Sequence, residues 1–158
     1  TVICQIIVLL HVKIGVIGIM SDVDCVFCKI IAGEIPSFKL YEDEHTYGMM
    51  DINPFHDGHC LVLTKTHCVN LLDAKPDELA AVLPAAQKIA RAVSAAIEPQ
   101  GMNLLQANGA AAGQSVFHYH THIFPRTLND GAKLNWEHTP GDMGKIEEVY
   151  KKILAAMP

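Results

Sequence analysis

His118, His120 and His122 recur at every second position of the chain. Their neighbours Phe117, Tyr119, Thr121 and Ile123 are aromatic or β-branched, and such residues favour strands. Strand side chains alternate between faces, so a strand here predicts three imidazoles in one row. Imidazole changes charge near neutrality and serves as nucleophile, proton donor or metal ligand. An isolated histidine is more often an ordinary packed residue; a row of three points to chemistry. Just upstream, Asn108-Gly109-Ala110-Ala111-Ala112-Gly113-Gln114-Ser115 reads as a small-residue loop. Its backbone N–H groups can cradle a phosphate, and Gln114 and Ser115 add side-chain donors. One group could then hold a phosphate while an imidazole attacks it. Alternatively, the three histidines could ligate one zinc or copper ion. No acidic ligand is evident nearby, and the loop suits phosphate better.

A second constellation involves sulfur. The chain has five cysteines, Cys4, Cys25, Cys28, Cys60 and Cys68. An odd count without a secretory signal predicts a reducing, cytoplasmic setting. Cys25-x-x-Cys28 is then a metal knuckle, a redox pair or a coincidence. Zinc would need two further ligands, and a thioredoxin-like pair would need a preceding strand. Cys60 and Cys68 are expected to be buried thiols without a role.

The run Gly113-Gln114-Ser115-Val116-Phe117-His118-Tyr119-His120-Thr121-His122-Ile123-Phe124-Pro125-Arg126 resembles the signature of the histidine-triad (HIT) nucleotide hydrolases and transferases. The resemblance extends upstream through the Cys25–Pro36 stretch, Tyr41-Glu42-Asp43-Glu44, and the Gly58–His67 stretch. It implies that His120 attacks the α-phosphorus to form a nucleotidyl-histidine, which splits one displacement into two. It implies further that His122 and the Gly113–Ser115 backbone stabilise the phosphate oxygens. Ser115 would contact the leaving group, Gln114 would position phosphate or leaving group, and His59 would line the same site. Asp51 would accept both ribose hydroxyls. Val26, Phe27, Ile30, Met49 and Ile52 would sandwich a purine base, with Asn108 also on the nucleotide. In the bacterial-type branch, the resemblance implies a structural zinc on Cys25, Cys28, His67 and His118. It also implies a homodimer.

Substrates would be nucleoside phosphoramidates or adenylylated amines, or alternatively dinucleoside polyphosphates. A nucleotidyl transferase fits less well, since those relatives commonly replace the third histidine by glutamine and His122 is retained. A non-catalytic nucleotide-binding sensor of the same fold is the other alternative.

These side chains need a frame. The chain has 158 residues, half of them hydrophobic, which supports one domain with a real core. A net charge of −5 without a basic cluster argues against a nucleic-acid groove. Residues 1–19 are almost wholly apolar, but Gln5, His11, Lys13 and two glycines interrupt them and no basic segment precedes them. A membrane span or signal peptide is therefore not expected. Met20-Ser21-Asp22 resembles a natural start, so residues 1–19 read as an extension that need not be native, ahead of a single domain over 20–158. A short helix is expected over 28–32, with strands over 38–41, 46–51, 59–64, 102–106 and 115–124. The longest helix should cover 76–97, kinked at Pro84, with Leu79, Val82, Leu83, Ala86, Ala90, Val93 and Ile97 inward. A C-terminal helix after Gly141 should bury Ile146, Val149, Ile153 and Leu154, and Phe124 should be a packing aromatic. The whole predicts an α+β class: an antiparallel meander around one long helix, which the resemblance turns into the HIT fold.

Overall fold

Five antiparallel strands form, β1 Lys39–Glu42, β2 Thr46–Met50, β3 Cys60–Thr64, β4 Gly101–Gln106 and β5 His120–Arg126, and β3 is a continuous run buried on both faces. The computed structural model describes residues 24–132 and 140–158, so the apolar stretch over 1–19 lies outside the described residues. The strands form one sheet in the order β1-β2-β3-β5-β4, which confirms the α+β class. β1–β3 run as a meander, but β5 rather than β4 lies beside β3, because the chain crosses over through the long helix Pro76–Ile97. Two compact units divide between Leu128 and Asn129. None of the described helices is long and apolar enough to cross a membrane.

The two faces of the sheet are buried differently. Cys60, Val62 and Ile123 pack on Val82, Ala85, Ala86, Ile89 and Val93 of helix α2, Pro76–Ile97. Tyr47, Met49, Leu61 and Leu63 pack instead with Cys25 and with Phe27 of the short helix α1, Val26–Ile31. Each fully buried aliphatic side chain stabilises by about 1.5–3 kcal/mol, so both layers hold the sheet in place. Helix α2 comes unusually close to β2, because a Cβ on Gly48 would overlap the Ile89 methyl.

Helix α2 has the expected bounds. Pro76 needs no N–H partner in the first turn, Asp77 and Glu78 face the positive end, and Glu98 caps the other end in a left-handed conformation. It continues through Pro84 as one helix. Both Pro84 and Ala80 are exposed, so the carbonyl that loses its N–H partner faces water. Leu83 is 67% exposed and Ile97 44%, against expectation. Leu83 sits about 100° around the helix from its buried neighbour Val82, which takes it off the Val82–Ala86–Ile89–Val93 stripe.

Strand β5 starts at His120, five residues later than expected. The β-forming residues just before it bond elsewhere: Tyr119 N–H donates to the Cys68 carbonyl at 2.7 Å, and His118 N–H to the Val116 carbonyl at 2.9 Å. In the second unit, helix α3, Met143–Ala156, is capped by Asp142, whose carboxylate accepts the Gly144 and Lys145 N–H groups. Its Ile146, Val149, Ile153 and Leu154 are exposed rather than buried. The amphipathic stripe predicted there exists, but an apolar stripe defines a face and not what covers it.

Candidate active site

Strand pairing sets the floor of the site. His120 pairs with Leu63, and His122 with Leu61 on one side and Leu105 on the other. Two residues apart on β5, both imidazoles lie on the face covered by α1. His118 is not a third member of this row. It sits in a bend before the strand, and its ring turns to the cysteines, so the three histidines do not converge on one ion.

His120 is buried, and its Nδ1 lies 2.6 Å from the His118 carbonyl oxygen. A carbonyl only accepts, so Nδ1 carries the proton and Nε2 keeps its lone pair. Phe27 meets the ring edge-on with centroids 5.2 Å apart. Burial lowers the pKa of His120 and outweighs the backbone hydrogen bond and Asp51, which raise it. The ring is therefore neutral at physiological pH, the state a nucleophile needs.

The neighbouring pair is fixed by the same logic. His59, just before β3, accepts the Phe55 N–H at Nδ1 over 3.2 Å. Its proton therefore sits on Nε2, which lies 2.9 Å from His122 Nδ1 and 3.4 Å from Asp51 Oδ2. By accepting at Nδ1, neutral His122 must carry its own proton on Nε2. Burial lowers the pKa of His59 and takes that of His122 down to about 4, with neighbouring imidazoles adding to the effect. Asp51, His59 and His122 offer ligand atoms within 4.8 Å of one another. The 2.9 Å contact is a hydrogen bond, however, since two nitrogens on one tetrahedral zinc stand about 3.3–3.4 Å apart.

The small-residue loop has the backbone expected of it. Gly109 and Gly113 take φ of 85° and 87° around a turn of 3-10 helix, Ala110–Ala112, a conformation that favours glycine. Gln114 does not offer its side chain to a ligand. Its amide donates to the Val69 and Val116 carbonyls and its oxygen accepts the Gly109 N–H, so it holds the loop shut on itself. The Asn108 side chain likewise works within the protein, accepting the Leu71 N–H at 2.8 Å. Ser115 is exposed at the loop's exit. Among the apolar candidates, Phe27 and Met49 belong to the buried cluster and Ile30 packs against it, while Val26 and Ile52 are exposed.

Cys25, Cys28, His67 and His118 converge from three distant parts of the chain, with ligand atoms all within 4.8 Å. His118 Nε2 donates to the Thr64 carbonyl at 2.8 Å, which turns its Nδ1 lone pair toward Cys25 Sγ at 3.4 Å and Cys28 Sγ at 3.6 Å. His67 Nδ1 lies 3.3 Å from Cys28 Sγ. This donor set can hold a metal ion. Cys60 and Cys68 are buried away from it, with burial pushing the Cys60 thiol up to about 11.

Three participants escaped the sequence reading. Phe124 stacks on His122 at 8° between ring planes and lies 4.2 Å, centroid to centroid, from His59. Its parity with His120 and His122 was the available signal. The Phe55 backbone N–H and the Asp51–His59 approach left none, because both depend on the 51–59 loop folding back.

The family profile of the HIT domain matches residues 32–129. Protein hit of Bacillus subtilis is 45% identical over 139 residues, covering 84% of this chain and 96% of that protein. An adenosine 5′-monophosphoramidase of Saccharomyces cerevisiae is 37% identical, covering 86% of this chain and 84% of its own. An adenylylsulfatase of Arabidopsis thaliana is 46% identical over 68% of this chain and 54% of its own length. Among solved structures, a HIT family member from Bacillus subtilis superposes with a TM-score of 0.80 at 41% identity, over 85% of this chain and 98% of that one. A Zn-bound histidine triad family protein from Mycobacterium smegmatis gives 0.66 at 36% identity, over 86% and 99%. The β5 histidines, the glycine loop and these matches agree: the chain belongs to the HIT domain family.

Proposed function

We propose that the protein hydrolyses the α-phosphate linkage of purine nucleotides through a covalent nucleotidyl-histidine on His120. The observation that carries this is the His120 Nδ1 contact to the His118 carbonyl, which leaves a neutral Nε2 lone pair as nucleophile. His120 Nε2 forms a bond to phosphorus as the bond to the leaving amine breaks, and the amine takes a proton that the Ser115 hydroxyl relays from solvent. Ser115 stands at the loop's exit as the hydroxyl that contacts this leaving group. The His122 Nε2–H and the Ser115 amide stabilise charge on the phosphate oxygens, whereas the Gly113 and Gln114 N–H groups donate to the Ala110 and Gly109 carbonyls and brace the loop. Water then attacks phosphorus as the bond to His120 Nε2 breaks, the water gives up a proton to solvent, and the nucleotide leaves with His120 neutral again. Asp51 receives the ribose hydroxyls, while Val26, Phe27, Ile30 and Ile52 offer apolar surface to the base. Relatives named for AMP amides and for adenylyl sulfate share the adenylyl group and differ in what leaves. Nucleoside phosphoramidates or adenylylated amines are therefore the favoured substrates. Replacing His120 by alanine should lower turnover of an AMP phosphoramidate by several orders of magnitude while AMP still binds. A wild-type rate in that variant would refute the proposal.

Zinc on Cys25, Cys28, His67 and His118 belongs to the same proposal. Sulfur stands about 2.3 Å and nitrogen about 2.0–2.1 Å from a tetrahedral zinc, so a sulfur–nitrogen edge is about 3.6 Å. The sulfur–nitrogen separations here are 3.3, 3.4 and 3.6 Å. When bound, the ion supplies cross-linking rather than reaction chemistry. Assembly as a homodimer is proposed on the edge strand β4, whose Leu104 and Leu105 are exposed.

A further inference from the structure

The two oxygens of Asp51 do different things. Oδ1 accepts the Asn53 N–H at 2.8 Å and closes a tight turn after β2. Oδ2 stands 3.4 Å from His59 Nε2. That same nitrogen lies 2.9 Å from His122 Nδ1, while His59 Nδ1 accepts the Phe55 N–H. One proton, on His59 Nε2, thus faces two acceptors, the carboxylate and the catalytic imidazole.

We propose that Asp51 is a positioning residue for the chemical step. Its carboxylate holds His59 as the Nε2–H tautomer, and His59 in turn fixes His122 with its own proton on Nε2. This rests on the hydrolase reading and deepens it, because there Asp51 only receives ribose. The chain of contacts runs from carboxylate to His59 to His122 to the phosphate oxygens. As negative charge builds on those oxygens, the His122 N–H bond polarises and positive charge spreads over the His59–His122 pair. Among the described residues, Asp51 is the anion that faces this pair, and His120 is the other titratable group facing it. The carboxylate works against burial, which otherwise disfavours any positive charge on these rings. Ribose hydroxyls that bond to the carboxylate weaken its hold on the shared proton and leave that proton to His122. Recognition of the sugar is thereby coupled to the donor that acts on the phosphate.

Asp51→Asn tests this, since asparagine keeps the shape and the oxygen that meets Asn53 while removing the charge. The probe is the phosphoramidate of 2′,3′-dideoxy-AMP, which has no hydroxyls for residue 51 to hold. The variant should lower kcat on this substrate about tenfold, less than the loss of an oxyanion donor itself. The midpoint of the acid limb should move to lower pH, and the His122 ring should titrate lower by 15N NMR. Unchanged kcat and acid limb on the dideoxy substrate would leave Asp51 a sugar contact only and overturn the proposal. A second measurement needs no variant: wild-type 15N NMR near neutral pH should show His122 with its proton on Nε2, and the opposite tautomer overturns the proposal. Both NMR readouts are independent of turnover. A wild-type protein inactive on every AMP amide would instead sink the hydrolase reading.

Discussion

At the scale of single residues, chemistry here depends on where protons sit on four imidazoles. His118 and His120 each donate to a backbone carbonyl, which fixes the free nitrogen of each ring. His59 and His122 are fixed in series by the Phe55 amide. The consequence is a pH dependence with a definite sign. The pKa of His122 falls from 6.5 to about 4 on folding, chiefly by burial, and those of His59 and His120 are lowered too. Unfolded chains therefore bind more protons than folded ones once pH drops below about 6.5, so stability falls with falling pH across that window. Above it both states hold neutral rings and these groups contribute no slope. The urea midpoint should drop measurably from pH 7 to pH 5, and identical midpoints would contradict the neutral assignment. Turnover should stay level below pH 6.5, the ordinary imidazole value, before it declines. The sequence exposed His120 and His122 through their spacing, but not the tautomers. Those depend on backbone partners at residues 55 and 118, which no side-chain pattern encodes. Gln114 shows the reverse failure: a residue type suited to a ligand is used to brace its own loop.

At the scale of elements, helix α2 was legible to its ends because stop and start signals are local: Pro76 in its first turn and Glu98-Pro99 at its end. The start of β5 was not. Val116, Phe117 and Tyr119 have strand propensity, yet β3 ends at Thr64, whose carbonyl accepts the His118 ring instead of a strand neighbour. Propensity yields there to a contact 54 residues away in the chain. The approach of α2 to the sheet is another non-local fact. Gly48 is buried mid-strand, a place where glycine ordinarily weakens a strand, and Ile89 fills the room a side chain would need. Tyr41 Cβ stands 3.3 Å from where that Cβ would be, so the added methyl is crowded from a second side even if the Ile89 methyl turns away. Gly48→Ala should therefore destabilise by roughly 1–3 kcal/mol despite alanine's better backbone entropy. Chemical denaturation checks this, and a stabilised variant would mean the helix can shift. Gly48→Ala with Ile89→Val should recover part of the loss, because the overlapping methyl is removed.

At the scale of the molecule, the Cys25, Cys28, His67 and His118 cluster joins the start of α1, the segment after β3 and the approach to β5. Cys25 and His118 are 93 residues apart, so the cluster closes a long loop. The same His118 whose ring faces the sulfurs presents its carbonyl to His120 Nδ1. A bound ion would thus brace both the fold and the orientation of the proposed nucleophile. The sequence supplied the CxxC pair, and family resemblance supplied the two histidines, because ligands from distant segments carry no local spacing. Protein prepared without added metal should contain about one zinc per chain by elemental analysis. An ion that binds only the folded state stabilises by about 4 kcal/mol at 1,000 times its dissociation constant. For a chain of this size its removal should lower the melting temperature by roughly 10 °C. Incubation with a chelator followed by calorimetry measures that shift, and readdition of zinc should reverse it. A protein that yields no zinc on acid denaturation and melts identically with chelator would leave the cluster as two thiol–imidazole hydrogen-bonded pairs. In that case His118 Nε2 on the Thr64 carbonyl, with no help from a metal, would be what holds the His120 carbonyl partner in place.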